Sequence, residues 1–192
     1  MRIPAGLWHG LLATDFEKET CELFHPLILI TSRPVLRTGQ VRGMIEGAAR
    51  QRRSLLLIAP RLTAEVVSEL VSRRLRAGPV IGAVGLPAAW LENRPLLEDL
   101  AMAVGAGVFA GQTEPPWEEL EASSPLIGSA RFVAARRDST TISGGAGDQT
   151  ALRSRILELV RQMASTDRGG EKDQLWERLE NLSSCLRPAE AA

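Results

Sequence analysis

The side chains that could carry chemistry are few in this chain of 192 residues. Cys21 and His25 stand four apart, the spacing of a metal-ligand or thiol–imidazole pair on one helical face. The other histidine, His9, and the other cysteine, Cys185, bring no third or fourth ligand at a metal-binding spacing, and no G-x-S-x-G elbow is present. Tyrosine is absent. The glycine-rich GGAGD (144–148) follows a strand pattern and precedes a helix pattern, where a phosphate cradle would sit. It fits neither G-x-G-x-x-G nor G-x-x-x-x-G-K-[ST], because no lysine follows, so it reads as a connection that needs backbone freedom. Carboxylates such as Glu118, Glu119 and Glu121 fall on a solvated helix face. The expectation is a protein that is not an enzyme, with no catalytic residue, no metal and no cofactor.

The elements that would position such groups alternate. LILI (27–30), LLLIA (55–59), VIGAV (80–84) and GVFA (107–110) are apolar on both faces, as strands of a parallel sheet are. Helical patterns at 37–51, 63–76 and 94–104 lie between them, the second with Thr63 as N-cap. This is an α/β arrangement with right-handed crossovers. After residue 111, TEPPWEELEA predicts a short acidic helix behind a Pro-led turn. ARFVAA (130–135) and STTIS (139–143) predict a strand pair. Helices at 149–165 and 171–185 form a hairpin, with Leu175, Leu179, Leu182 and Leu186 on one stripe. Residues 187–192 predict a disordered tail.

Lys+Arg and Asp+Glu are equal at 23 each, which argues against nucleic acid as the main partner. The Arg50, Arg52 and Arg53 cluster reads as a solvated helix end. No apolar stretch reaches the length of a membrane span, and the N-terminus lacks a secretory pattern. A cytoplasmic protein with two reduced thiols and no membrane partner is expected. What remains is apolar surface. LWHGLL (7–12) is too short and glycine-broken for a core element, and both helices 37–51 and 63–76 carry apolar residues beside their core stripe, such as Ile45, Val67 and Val71. Those positions either widen the core-facing stripe or form a binding surface.

Several segments in order resemble the apical domain of group I chaperonins (the GroEL type). The strand-helix-strand PLILITSRPVLRTGQVRGMIEGAARQRRSLLLIA, the helix TAEVVSELVSRRL, LLEDLAMAVGAGVF, GSARFVAARRDSTTISGGAGD and the hairpin RSRILELVRQMASTDRGGEKDQLWERLENLS all carry the likeness, which spans most of residues 5–186. The resemblance implies a GroEL apical domain-like (swivelling β/β/α) fold. It divides the chain into an apical-type binding domain at 1–148, a C-terminal helical hairpin at 149–186 and the tail. It implies ATP-independent capture of non-native polypeptides, or of a hydrophobic segment of one partner, in a groove between helices 37–51 and 63–76. A chaperonin, a co-chaperonin or a second copy of the chain are further candidate partners. Positions matching the family's binding residues are Leu7, Leu11, Leu12, Arg42, Ile45, Val67, Val71 and Ser72. Arg42 and Ser72 depart from the family's aliphatic pattern. In an apolar groove Arg42 costs desolvation unless it lies at the rim or meets an acidic segment. LPAAWLENR (86–94) also departs, with Trp90 expected to pack internally.

Overall fold

The computed structural model describes residues 1–76, 78–110, 116–166 and 169–186. The expected disordered tail and the Pro-led start of the acidic segment lie outside the described residues. Eight strands are present among them: β1 (Arg2–Ile3), β2 (Cys21–Phe24), β3 (Leu27–Thr31), β4 (Leu55–Ala59), β5 (Ile81–Gly85), β6 (Val108–Phe109), β7 (Gly128–Ala135) and β8 (Thr140–Gly145). Six helices accompany them: α1 (Gly39–Arg50), α2 (Ala64–Leu75), α3 (Ala88–Glu92), α4 (Arg94–Val104), α5 (Gln149–Ser165) and α6 (Gly169–Ser183).

The parallel strands β3, β4 and β5 pair in register, Leu27 with Leu55 and Leu55 with Ile81. Their side chains alternate between two cores, as the two-residue period of a strand requires. Leu27, Leu29, Leu55, Leu57, Ile81 and Ala83 join α1 and α2 in one core. Ile28, Ile30, Leu56, Ile58 and Val84 join α4, α5 and α6 in the other. Apolarity on both strand faces therefore has a direct cause: each face is covered by helices.

β7 links two sheets. Its first residues pair antiparallel with β3, and its last four pair with β2 on one side and β8 on the other. β2 lies across the parallel sheet, with Cys21 Sγ and Leu23 placed where any side chain at Gly82 would have to go. Burial at this crossing raises the Cys21 thiol to about 11. β1 and β2 were not expected. β1 has two residues, and β2 shows its alternation only over Cys21, Glu22, Leu23 and Phe24, too short a run to stand out.

Two local expectations are corrected. Among the described residues the acidic segment forms a 3-10 turn, Trp117–Glu119, with Trp117 packed on Phe109 at a ring-centroid distance of 4.3 Å. Trp90 packs in the core as expected, carried by the short helix α3. GGAGD is not all loop: Gly144 and Gly145 end β8, and Gly144 has φ +64°. A side chain at Gly145 or Gly147 would collide with the carbonyls of Ala103 or Met102 at the C-terminal end of α4. That helix end presents carbonyl oxygens, the wrong polarity for a phosphate.

The hairpin docks on α4 through a buried ion cluster. Asp99, 2% exposed, accepts from Arg178 at 2.6 and 3.1 Å and from Arg155 at 3.2 Å. Arg155 also reaches Glu158 at 2.7 Å. One buried carboxylate is thus shared by α4, α5 and α6, while Leu152, Leu159, Leu175 and Leu182 pack around it. Removing one member of such a cluster strands the others without counter-charge. Asp99→Ala is expected to lower unfolding free energy by about 3–5 kcal/mol in denaturant titration, and Asp99→Leu with Arg178→Met to recover most of that loss. A loss below about 1 kcal/mol for Asp99→Ala would mean the cluster is not holding the hairpin. In native protein near neutral pH, Cys185, half-buried, should react with a thiol reagent well before Cys21. Equal rates would show that β2 opens readily.

Candidate polypeptide-binding surface

The chain enters the sheet's open edge before it reaches α2. Leu7 bridges Val84, the Trp8 amide donates to Ala83 O at 3.0 Å, and the Gly85 amide donates to Gly6 O at 3.2 Å. Residues 6–8 therefore cap the edge of β5, which would otherwise expose unpaired backbone groups. The Trp8 indole N–H donates to Ala59 O at 3.4 Å. A 3-10 turn, Gly10–Leu12, follows, and His9 Nδ1 accepts from the Leu11 amide at 3.1 Å. His9 is thus a capping residue. His25 is exposed in a turn with φ +48°, and its amide donates to Arg131 O at 2.9 Å. Cys21 is fully buried. Among the described residues no group of three or more His, Cys, Asp or Glu side chains is placed to hold a metal.

α2 runs beside this entering segment. Thr63 caps it, accepting from the Val66 amide at 3.4 Å while its hydroxyl donates to Leu36 O at 3.1 Å. Val66 and Leu70 face the core with no exposure. Val67, Val71 and Arg74 follow at i, i+4 and i+7, which is one face of the helix. The Arg74 guanidinium donates to the carbonyls of Leu11 and Ala13 and lies 5.7 Å from the Phe16 ring centroid. Arg74 therefore turns the Val67–Val71 face toward residues 9–16.

The eight expected site residues divide accordingly. Val67 and Val71 are half-buried on the face turned to the entering segment, and Leu11 is 53% exposed beside it. Leu7 is half-buried between the two cores. Leu12 and Ile45 are 0% and 2% exposed and pack in the core with α2 and α1, so neither contributes to the exposed surface. Arg42 is exposed on α1, and Ser72 is half-buried about 100° round α2 from Val71. The exposed apolar strip thus runs along α2 and residues 9–16, and α1 contributes Arg42 alone among the expected residues.

Two residues of this strip were not among those expected. Phe16 is 62% exposed and Leu75 is 80% exposed, each larger than an isolated surface residue needs to be. Leu75 continues the i, i+4 row of Val67 and Val71, so its spacing alone could have signalled it. Phe16 joins only through Arg74, which no sequence spacing reveals.

The arginine cluster at 50–53 separates in space. Arg53 donates to the carbonyls of His25 and Pro26 at 2.9 and 3.2 Å and so fixes the turn into β3, while Arg50 and Arg52 are exposed. A cleft of about 1360 Å³ lies elsewhere, between the outer face of β1, β7 and β8 and the helix α6. Its walls mix polar side chains such as Arg131, Thr141, Ser143 and Glu180 with apolar ones such as Met1, Ile142 and Leu186. Extended or helical polypeptide segments need a shallow apolar surface more than an enclosed volume. Among the described residues no helix is long and apolar enough to cross a membrane. No protein-family model matches the chain.

Proposed function

We propose that this protein holds non-native or otherwise exposed apolar polypeptide segments, without ATP, along the strip formed by Leu11, Phe16, Val67, Val71 and Leu75. The carrying observation is the exposure of Leu11, Phe16 and Leu75 along one side of a helix whose other side is fully buried. The likeness of the chain to chaperonin apical domains, and with it a swivelling β/β/α fold, supports the same reading. Burial of on the order of 300 Å² of apolar surface at ~25 cal/mol/Å² gives roughly 7–8 kcal/mol. Association costs of ~4–15 kcal/mol offset most or all of it. Weak and broad binding follows, which suits holding and not tight recognition.

A second reading is a module for one dedicated protein partner. Arg42 favours it, because an exposed cation on the helix layer that carries the strip narrows the choice of ligand. The two readings part on breadth: many unrelated unfolded chains bind under the first, and one saturable partner under the second.

Suppression of aggregation of an unfolding client protein, without ATP, tests the proposal. Val67→Glu and Val71→Glu place a charge on the strip and are expected to abolish suppression in protein that remains folded. Ile45→Glu is expected to lose the fold itself, because its carboxylate would be buried in the core without a partner. Full suppression by folded Val67→Glu and Val71→Glu would contradict the strip as the binding surface, and no suppression by the wild type would remove the general holding function.

A further inference from the structure

The net charge of zero conceals a segregation. Residues 33–76, which build α1, α2 and their connections, contain ten arginines and three glutamates and no other charged residue, a net +7. The remainder of the chain carries the balancing −7. Both helices cross between parallel strands, so they run parallel to each other on one face of the sheet. Arg37 and Arg61 are exposed just ahead of their two N-terminal ends, Arg42 on the first turn of α1, and Arg50 and Arg76 at the C-terminal ends. None of these five has an ion-pair partner among the described residues. Only Glu46 and Glu65 oppose them on the two helices, since Glu69 is already held by Arg73 at 2.7 Å. The layer that exposes the apolar strip is therefore the layer with unneutralised positive charge.

We infer that the segments this surface selects are acidic amphipathic ones, in which apolar residues alternate with carboxylates. This rests on the polypeptide-binding reading above and names its ligand class. The apolar strip supplies contact area, while the arginines around it supply attraction at longer range and penalise cationic segments. Arg adds bidentate carboxylate recognition that a lysine would not. Arg42, which departs from the aliphatic pattern of chaperonin apical domains, is then a selecting residue at the rim. A polyanion such as nucleic acid would use the same charge but leave the strip unused, so the apolar exposure favours the peptide.

The test is fluorescence anisotropy with three labelled peptides of identical apolar residues, carrying Glu, Gln or Lys at the alternate positions. A single-stranded oligonucleotide and an apolar-free polyglutamate serve as further probes. The Glu peptide is expected to bind more than about tenfold tighter than the Gln peptide, with the Lys peptide weakest. The advantage should vanish between about 0.01 and about 1 M ionic strength, as the screening length falls from about 30 to about 3 Å. Arg42→Glu with Arg61→Glu, both exposed positions, should reverse the order of the Glu and Lys peptides. Equal binding of the Glu and Gln peptides would overturn the acidic preference and leave polypeptide holding intact. Binding of the oligonucleotide or polyglutamate as tight as that of the Glu peptide would overturn it in favour of general polyanion binding. Failure of all three peptides would overturn the holding function together with it.

Discussion

A parallel sheet with no polar face must be covered on both sides, and the rest of this structure follows from that constraint. β3, β4 and β5 send alternate side chains to opposite faces, and nearly all of those side chains are apolar. α1 and α2 cover one face. α4 and the α5–α6 hairpin cover the other. At roughly 1.5–3 kcal/mol for each fully buried large aliphatic side chain, the two interfaces dominate the favourable side of folding. The Asp99 ion cluster fixes how the second layer sits and contributes less net free energy than its distances suggest, because burying its charges is itself costly.

The proposed binding surface is a by-product of how the first layer is closed. β5 would be an open edge, and residues 6–8 cover it. Having paired there, the chain must return over α2, and the short 3-10 turn with its His9 cap brings Leu11 alongside that helix. Arg74 then ties the turn to α2 through backbone carbonyls, an interaction that holds Leu11 and Phe16 in place without covering the apolar side of the helix. Edge protection and exposure of an apolar strip are thus achieved by the same dozen or so residues. The arginine-rich composition of 33–76 places charge on the helix layer that carries Val67, Val71 and Leu75 without placing it within the cores.

Much of the fold was legible in the residues. β4 and α5 lie at their expected bounds, and the Thr63 cap marks the start of α2. Those signals are strong because each is a run of one period bounded by a turn or a cap. The short antiparallel strands were not legible, since two or four residues carry too little alternation and they pair with β8 and β7, more than a hundred residues away. Nor could spacing decide which apolar residues of a helix are covered. Ile45 and Val67 are both apolar neighbours of a core stripe, yet the first is buried and the second half-exposed. The difference lies in what packs over each helix, and that is set by tertiary register. The buried Asp99 was equally silent, because its partners come from the distant hairpin.

The account turns on whether polypeptide contacts the strip beside α2. Methyl resonances of the folded protein, followed during titration with a permanently unfolded polypeptide, test this most directly. The account predicts perturbation of Leu11, Val67, Val71 and Leu75, with the core methyls of Leu56 and Ile58 unmoved. Perturbation confined to residues around the cleft by α6, such as Ile142 and Leu186, would contradict it.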